Sequence, residues 1–167
     1  EKLPKMDFIS TINRLYLKQL NLSTQKDSGV LSSQIFINVR GNNIDNLTGQ
    51  INFDNTIYKT PTRTFKLSTF NIQMDQSTKD KKIHLNSEYI NATAYGQFSF
   101  KNLEPAFQGF LYNYYPTFFK KPADRIKYSD ELTFYLRVKK FNTINELFVP
   151  DFMLEPNSVV EGNFNAA

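Results

Sequence analysis

Over five stretches of this chain every second residue is apolar or glycine, a period that places those residues on one face of a β-strand. In 47–53, Leu47, Gly49, Ile51 and Phe53 alternate with Thr48, Gln50 and Asn52. In 90–100 the even positions from Ile90 to Phe100 carry the apolar set, and the odd ones, such as Asn91, Thr93 and Ser99, are polar or Tyr. Leu132, Phe134, Leu136 and Val138 alternate with Thr133, Tyr135, Arg137 and Lys139. Val160, Gly162, Phe164 and Ala166 alternate with Glu161, Asn163 and Asn165. Ile35, Ile37 and Val39 follow the rule too, with Phe36 out of place on the polar side. Such strands build an antiparallel sheet with one apolar and one wet face. The expected fold is mainly β: a curled, antiparallel-rich sheet, groove-like, with two short amphipathic helices.

Between Arg63 and Met74 the phase changes, because Phe65 and Leu67 are odd while Phe70, Ile72 and Met74 are even. A one-residue slip predicts a β-bulge near Ser68-Thr69. Ile83 and Leu85 resume the sheet after the polar turn 75–80. One helix is predicted from Leu103 to Tyr115, where Leu103, Phe107, Phe110, Leu111 and Tyr114 recur at helical spacing, with Pro105 in the first turn and Pro116 after the end. A second is predicted from Thr143 to Val149, with Thr143 as N-cap, Glu146 at the capping-box position and Pro150 as the stop. The stretch Leu15 to Leu22 fits either a helical turn or a strand end.

A faint repeat runs through the chain: LTGQINF (47–53), AYGQFSF (94–100) and VEGNFNA (160–166) each place Gly, an amide residue and an apolar residue in a row. A larger unit of strand, short amphipathic turn or helix, Pro-marked exit and returning strand recurs over about 12–41, 98–138 and 136–166. The repeated Gly either makes room for an aromatic crossing from a neighbouring strand or marks a bend.

Composition restricts the chemistry. With 40% hydrophobic and 22% charged residues the chain can bury a core, and 16 Phe with 9 Tyr favour strands. The net charge of +4 is scattered, and the densest basic cluster, Lys79-Asp80-Lys81-Lys82, contains an acid, so it suits a solvated hairpin and not a nucleic-acid surface. No cysteine is present to form a disulfide or a thiolate site. No run of about 18 apolar residues marks a membrane-spanning helix. The chain begins Glu1-Lys2-Leu3-Pro4 and ends Asn165-Ala166-Ala167, and it is expected to be a single β-rich segment, 1–167, of a larger protein.

Catalysis has little to work with. His84 is the only histidine, and it falls on the polar phase of its strand. No nucleophile turn or Gly-rich phosphate loop accompanies it. Asp130 and Glu131 point to opposite faces if they begin a strand, and Asp124, Glu104, Glu146 and Glu155 sit beside turns or helix starts, where acids are common. The expectation is a protein that is not an enzyme and holds no cofactor or metal. What stands out is the aromatic segment 107–121, FQGFLYNYYPTFFKK. It has three readings: a helix seated on the apolar face, an aromatic rim beside lipid formed by Phe107, Phe110, Tyr114 and Tyr115, or a helix lying on a membrane surface.

The phrase GNNIDNLTGQINFDNTIY (41–58) resembles the Bacteroidetes branch of the translocation and assembly module family, TamB, within the AsmA-like superfamily. IHLNSEYINATAYGQFSFKNL (83–103), the helix end YNYYP (112–116) and ELFVPDFMLEPNSVVEGNFNA (146–166) are similar to the strand–helix–Pro–strand units of that family. Together they cover most of 41–166, while the first forty residues and 122–129 match poorly. The resemblance implies strands curling into an open groove with an apolar lining. It implies a periplasmic protein held by an inner-membrane anchor outside this segment and working with an outer-membrane Omp85-type protein. Its task would be phospholipid transfer between the two membranes or outer-membrane protein assembly, with phospholipid or other apolar cargo and without nucleic acid.

On this reading the groove is lined by Leu47, Ile51, Phe53, Phe65, Leu67 and Ile72 from the first half of the sheet. Ile83, Leu85, Ala94, Phe98 and Phe100, then Phe134, Leu136 and Phe164, complete it. A charge at Ile51 or Phe98 is expected to impair function without unfolding the segment. The rival expectation is a β-sandwich binding or structural module, such as an adhesin or surface-lipoprotein domain recognising protein or glycan, in which the apolar face is fully sealed and the Tyr-rich segment is exposed as a recognition patch.

Overall fold

The computed structural model describes residues 3–19, 29–120, 131–140 and 155–165. The described strands are β1 (Lys5–Tyr16), β2 (Val30–Arg40), β3 (Thr48–Lys59), β4 (Thr64–Gln76), β5 (Lys81–Ser87), β6 (Ile90–Gln97), β7 (Glu131–Val138) and β8 (Val159–Asn165). They form one sheet in the order of the sequence, every neighbouring pair antiparallel. The sheet is open, with β1 at one edge and β8 at the other. A 3-10 turn at Ile44–Asn46 precedes β3, and a helix, α1 (Phe100–Tyr114), separates β6 from β7.

Register carries the alternation from strand to strand, because residues directly opposite each other share a face. One transverse row takes a residue from every strand: Phe8, Ile37, Ile51, Ile72, Leu85, Ala92, Leu136 and Val160. The next row runs through Val39, Gly49, Met74, Ile83, Ala94, Phe134 and Gly162. On the opposite face Gln50, Gln73, His84, Thr93, Tyr135 and Glu161 stand in line. The out-of-place Phe36 lies opposite Ile9 of β1 on that polar face, where Ile9 remains exposed.

Four of the sequence expectations are corrected. β1 was anticipated only at its end, in the strand opening the unit over about 12–41 and in one reading of Leu15 to Leu22; its first half was not, because Ser10 interrupts its apolar row and its register slips between Ile12 and Leu15, which breaks the period of two. The phase change in β4 is real, but it is not a slip against β3. Asp54 pairs with Thr69 and Thr56 with Leu67, so β3 shifts phase alongside β4, with Asn55 in the left-handed region at φ 50°. The slip appears against β2 instead, between Ser32 and Gln34.

The strand expected over 90–100 stops at Gln97, and α1 begins at Phe100, three residues before the expected start. Pro105 is therefore the sixth helical residue and not part of the first turn, so the carbonyl of Lys101 lacks its usual intrahelical donor. The second helix expected at Thr143 to Val149 lies outside the described residues, as do parts of each larger repeat unit.

Burial is thin for a sheet of this size. Among the described residues the buried apolar side chains on the sheet face are Val39, Met74 and Val138; Tyr89, Phe98 and Ala106 are buried at its margins. Tyr89 stacks on Phe65 at 5.3 Å and donates its hydroxyl to the carbonyl of Lys66, closing the face where β5 and β6 end.

Candidate functional site

The apolar face is the candidate site, and the structure places most of its expected lining there. Ile51, Phe53, Phe65, Leu67, Ile72, Ile83, Leu85, Ala94, Phe134, Leu136 and Phe164 all project from one side of the sheet, by their pairing. Along the middle strands these side chains are half-buried rather than sealed. Phe53 and Phe70 meet edge to face at 6.0 Å. Leu47 ends the 3-10 turn, one residue before β3, and is also half-buried. Sequence reasoning omitted Phe8, Val39, Phe70, Met74 and Val160 from the lining. Val39, Phe70, Met74 and Val160 were legible in the same alternation, whereas Phe8 lies on the unanticipated first half of β1.

Phe98 and Phe100 do not line an open groove. Phe98 is only 5% exposed, meets Phe100 edge to face at 5.7 Å and has the Lys81 ammonium 5.3 Å above its ring. Phe100 is the first residue of α1 and shares the same cation at 5.9 Å. Both belong to the joint that fastens the helix to the end of the sheet.

Asp45 forms the polar half of that joint. Its Oδ1 accepts from Lys81 Nζ at 2.8 Å and from the backbone N–H of Phe100 at 2.8 Å, and its Oδ2 accepts from Ser99 Oγ at 2.8 Å. Ser99, the N-cap residue, does not cap the helix with its own side chain. The carboxylate of a residue from before β3 serves the helix start instead, where negative charge is favoured. Partial burial pushes the Asp45 carboxyl up, but the bonds from Lys81, Phe100 and Ser99 and the charge of Lys81 outweigh it and hold the pKa below 3.8. Nothing in the sequence pattern marks Asp45, because its partners are 36 to 55 positions away.

Beyond the joint, α1 crosses the β7–β8 end of the sheet and leaves a groove of ≈ 670 Å³ beneath it. Leu103 and Phe107 form its roof; Leu132, Phe134, Gly162 and Phe164 form its floor, with Asn163 and Asn165 at the side. Phe107 meets Phe164 at 6.3 Å. The floor is low because Gly162 has no side chain: a Cβ there would stand 3.0 Å from the Phe134 ring. Here the repeated Gly makes room for an aromatic from the next strand. Gly96, at the corresponding place in its own phrase, is different. It holds φ +140° with Glu131 O only 2.1 Å from where a Cβ would be, so that glycine serves the backbone.

Of the expected aromatic rim, Phe107 roofs the groove, while Tyr114 and Tyr115 at the far end of α1 are exposed. The side chain of Phe110 lies outside the described ones. His84 sits on the opposite, polar face and shares a 3.0 Å hydrogen bond between its Nδ1 and Thr93 Oγ1. Beside it Asn52, Asn71, Asn86 and Asn91 stand on four successive strands, with Asn71 donating to Asn52. Among the described residues no helix is long and apolar enough to cross a membrane.

No protein-family model, no curated protein and no solved structure matches the chain.

Proposed function

We propose that this chain is a non-catalytic periplasmic part of a TamB-like, AsmA-type envelope protein, whose apolar sheet face forms a trough for the acyl chains of phospholipid passing between the inner and outer membranes. The observation that carries the reading is the apolar row crossing all eight described strands, with a single described helix over one corner of the same face. A side chain such as Leu or Phe left in water forgoes roughly 1.5–3 kcal/mol of burial. A row of them is stable when something apolar lies along it. Acyl chains suit a lining with no ordered polar hooks, since they are flexible and need only an apolar surface. The same surface would serve unfolded outer-membrane protein segments presented to an Omp85-type partner. A two-sheet sandwich would seal the face with a second layer, but the eight described strands all belong to one sheet.

Mass spectrometry of gently purified protein tests the reading. Wild-type protein is expected to carry phospholipid. Ile51→Asp, on a half-buried position of the trough, is expected to lose most of that lipid while shifting the unfolding midpoint only modestly. Lipid-free wild-type protein, or an Ile51→Asp variant that fails to fold, counts against the trough.

The groove under α1 gives a second handle. Gly162→Val would raise its floor into Phe134. We expect overpacking to cost about 1–3 kcal/mol and the affinity for a fluorescent fatty acid, measured by titration, to fall about tenfold. An unchanged affinity would place the bound chain elsewhere on the face.

A further inference from the structure

We propose that the C-terminal end of α1 and the turn after it form a docking tip that seats in the headgroup region of an anionic phospholipid bilayer. Tyr114, Tyr115, Phe118 and Phe119 are 68, 58, 83 and 36% exposed, an uncommon density of aromatic surface for one turn of chain. Their presentation is built by the backbone. The N–H of Tyr115 donates to Leu111 O at 2.7 Å, and those of Phe118 and Phe119 donate to Tyr115 O at 3.0 and 3.2 Å. The aromatic residues are therefore held outward on a closed turn, on the stretch of α1 beyond the part that roofs the groove.

The chemistry of the tip selects its partner. Phe118 and Phe119 offer purely apolar rings, and the tyrosines combine an apolar body with a hydroxyl, the pairing that settles where hydrocarbon meets headgroup. Lys120 is exposed beside them and Lys121 follows in the sequence, while no Asp or Glu occurs anywhere from Pro105 to Ala123. A segment that is aromatic, cationic and free of acid along its sequence complements an anionic lipid surface. The same tip of a second copy would set like cations against it with no compensating acid. The tip is separate from the trough, so docking and cargo binding can fail independently.

The chain has no Trp, so Phe118→Trp places a single indole at the tip of the full protein. On adding vesicles of phosphatidylethanolamine and phosphatidylglycerol, its emission is expected to shift to the blue, with the shift weakening as salt is raised. In the native chain, the pair Phe118→Asp and Phe119→Asp is expected to reduce co-sedimentation with those vesicles about tenfold or more, with an unchanged circular dichroism spectrum because both side chains are exposed. Emission unmoved by vesicles, or sedimentation undiminished in the double variant, would overturn the proposal. So would emission that is already blue before vesicles are added and relaxes on dilution, since a second copy would then cover the tip.

Discussion

Phe98→Ala is expected to cost about 3–5 kcal/mol of stability, a large part of what holds a domain of this size together. The ring is enclosed at the joint between β6 and α1, against Phe100 on one side and under the Lys81 ammonium on the other. Its removal leaves a void and strips Lys81 of a ring face. Denaturant unfolding measures the loss directly. The comparison with Ile51→Ala matters most: Ile51 sits half-buried in the trough, so its truncation should cost distinctly less. Equal losses at the two positions would mean that the trough is as closed as the joint.

Asp45→Ala should release the start of α1. It removes the ion pair with Lys81, the acceptor of the Phe100 N–H and the bond from the Ser99 hydroxyl to the carboxylate. Hydrogen bonds to a charged group contribute about 1.5–3 kcal/mol, and partial exposure of the pair places the expected loss near the lower end. Hydrogen exchange should speed up in the amides of α1 while those of β3 and β4 keep their protection. The same group sets an acid limit. Because its folded pKa lies below the ordinary 3.8, the contribution of the carboxylate is complete above that value and is lost as pH falls through the lower, folded one. α1 is therefore expected to stay fastened at pH 5 and to loosen only as pH falls below 3.8, whereas the Asp45→Ala variant should show the loosened exchange at neutral pH.

These two variants probe what the sequence did not announce. The sequence pattern predicts a helix in the right place, because Leu103, Phe107 and Leu111 recur at its period, yet it set the start three residues late. Phe98 and Phe100 continue the even-numbered apolar run of β6, and a period of two cannot say where the backbone stops being extended. The contact that ends the strand is made by Asp45 with Ser99 and with the Phe100 N–H, more than fifty positions away. The first half of β1 was missed for a related reason. Its alternation is interrupted by Ser10 and by a register slip past Ile12, and only its pairing with β2 identifies it as a strand.

What the amino-acid order determined by itself is the two-faced character of the strands, since successive side chains must point to opposite sides of an extended backbone. From that followed a mainly β fold with one apolar face and the membership of Ile51, Ile72, Leu85 and Leu136 in it. What only the tertiary structure decided is which residues become neighbours across the sheet, and where cover is missing. Register aligned eight separate apolar side chains into one row, gathered Asp45, Lys81 and Phe100 into one joint, and opened a groove where Gly162 lies under α1. Those outcomes depend on contacts between distant segments, whose geometry local periodicity does not encode.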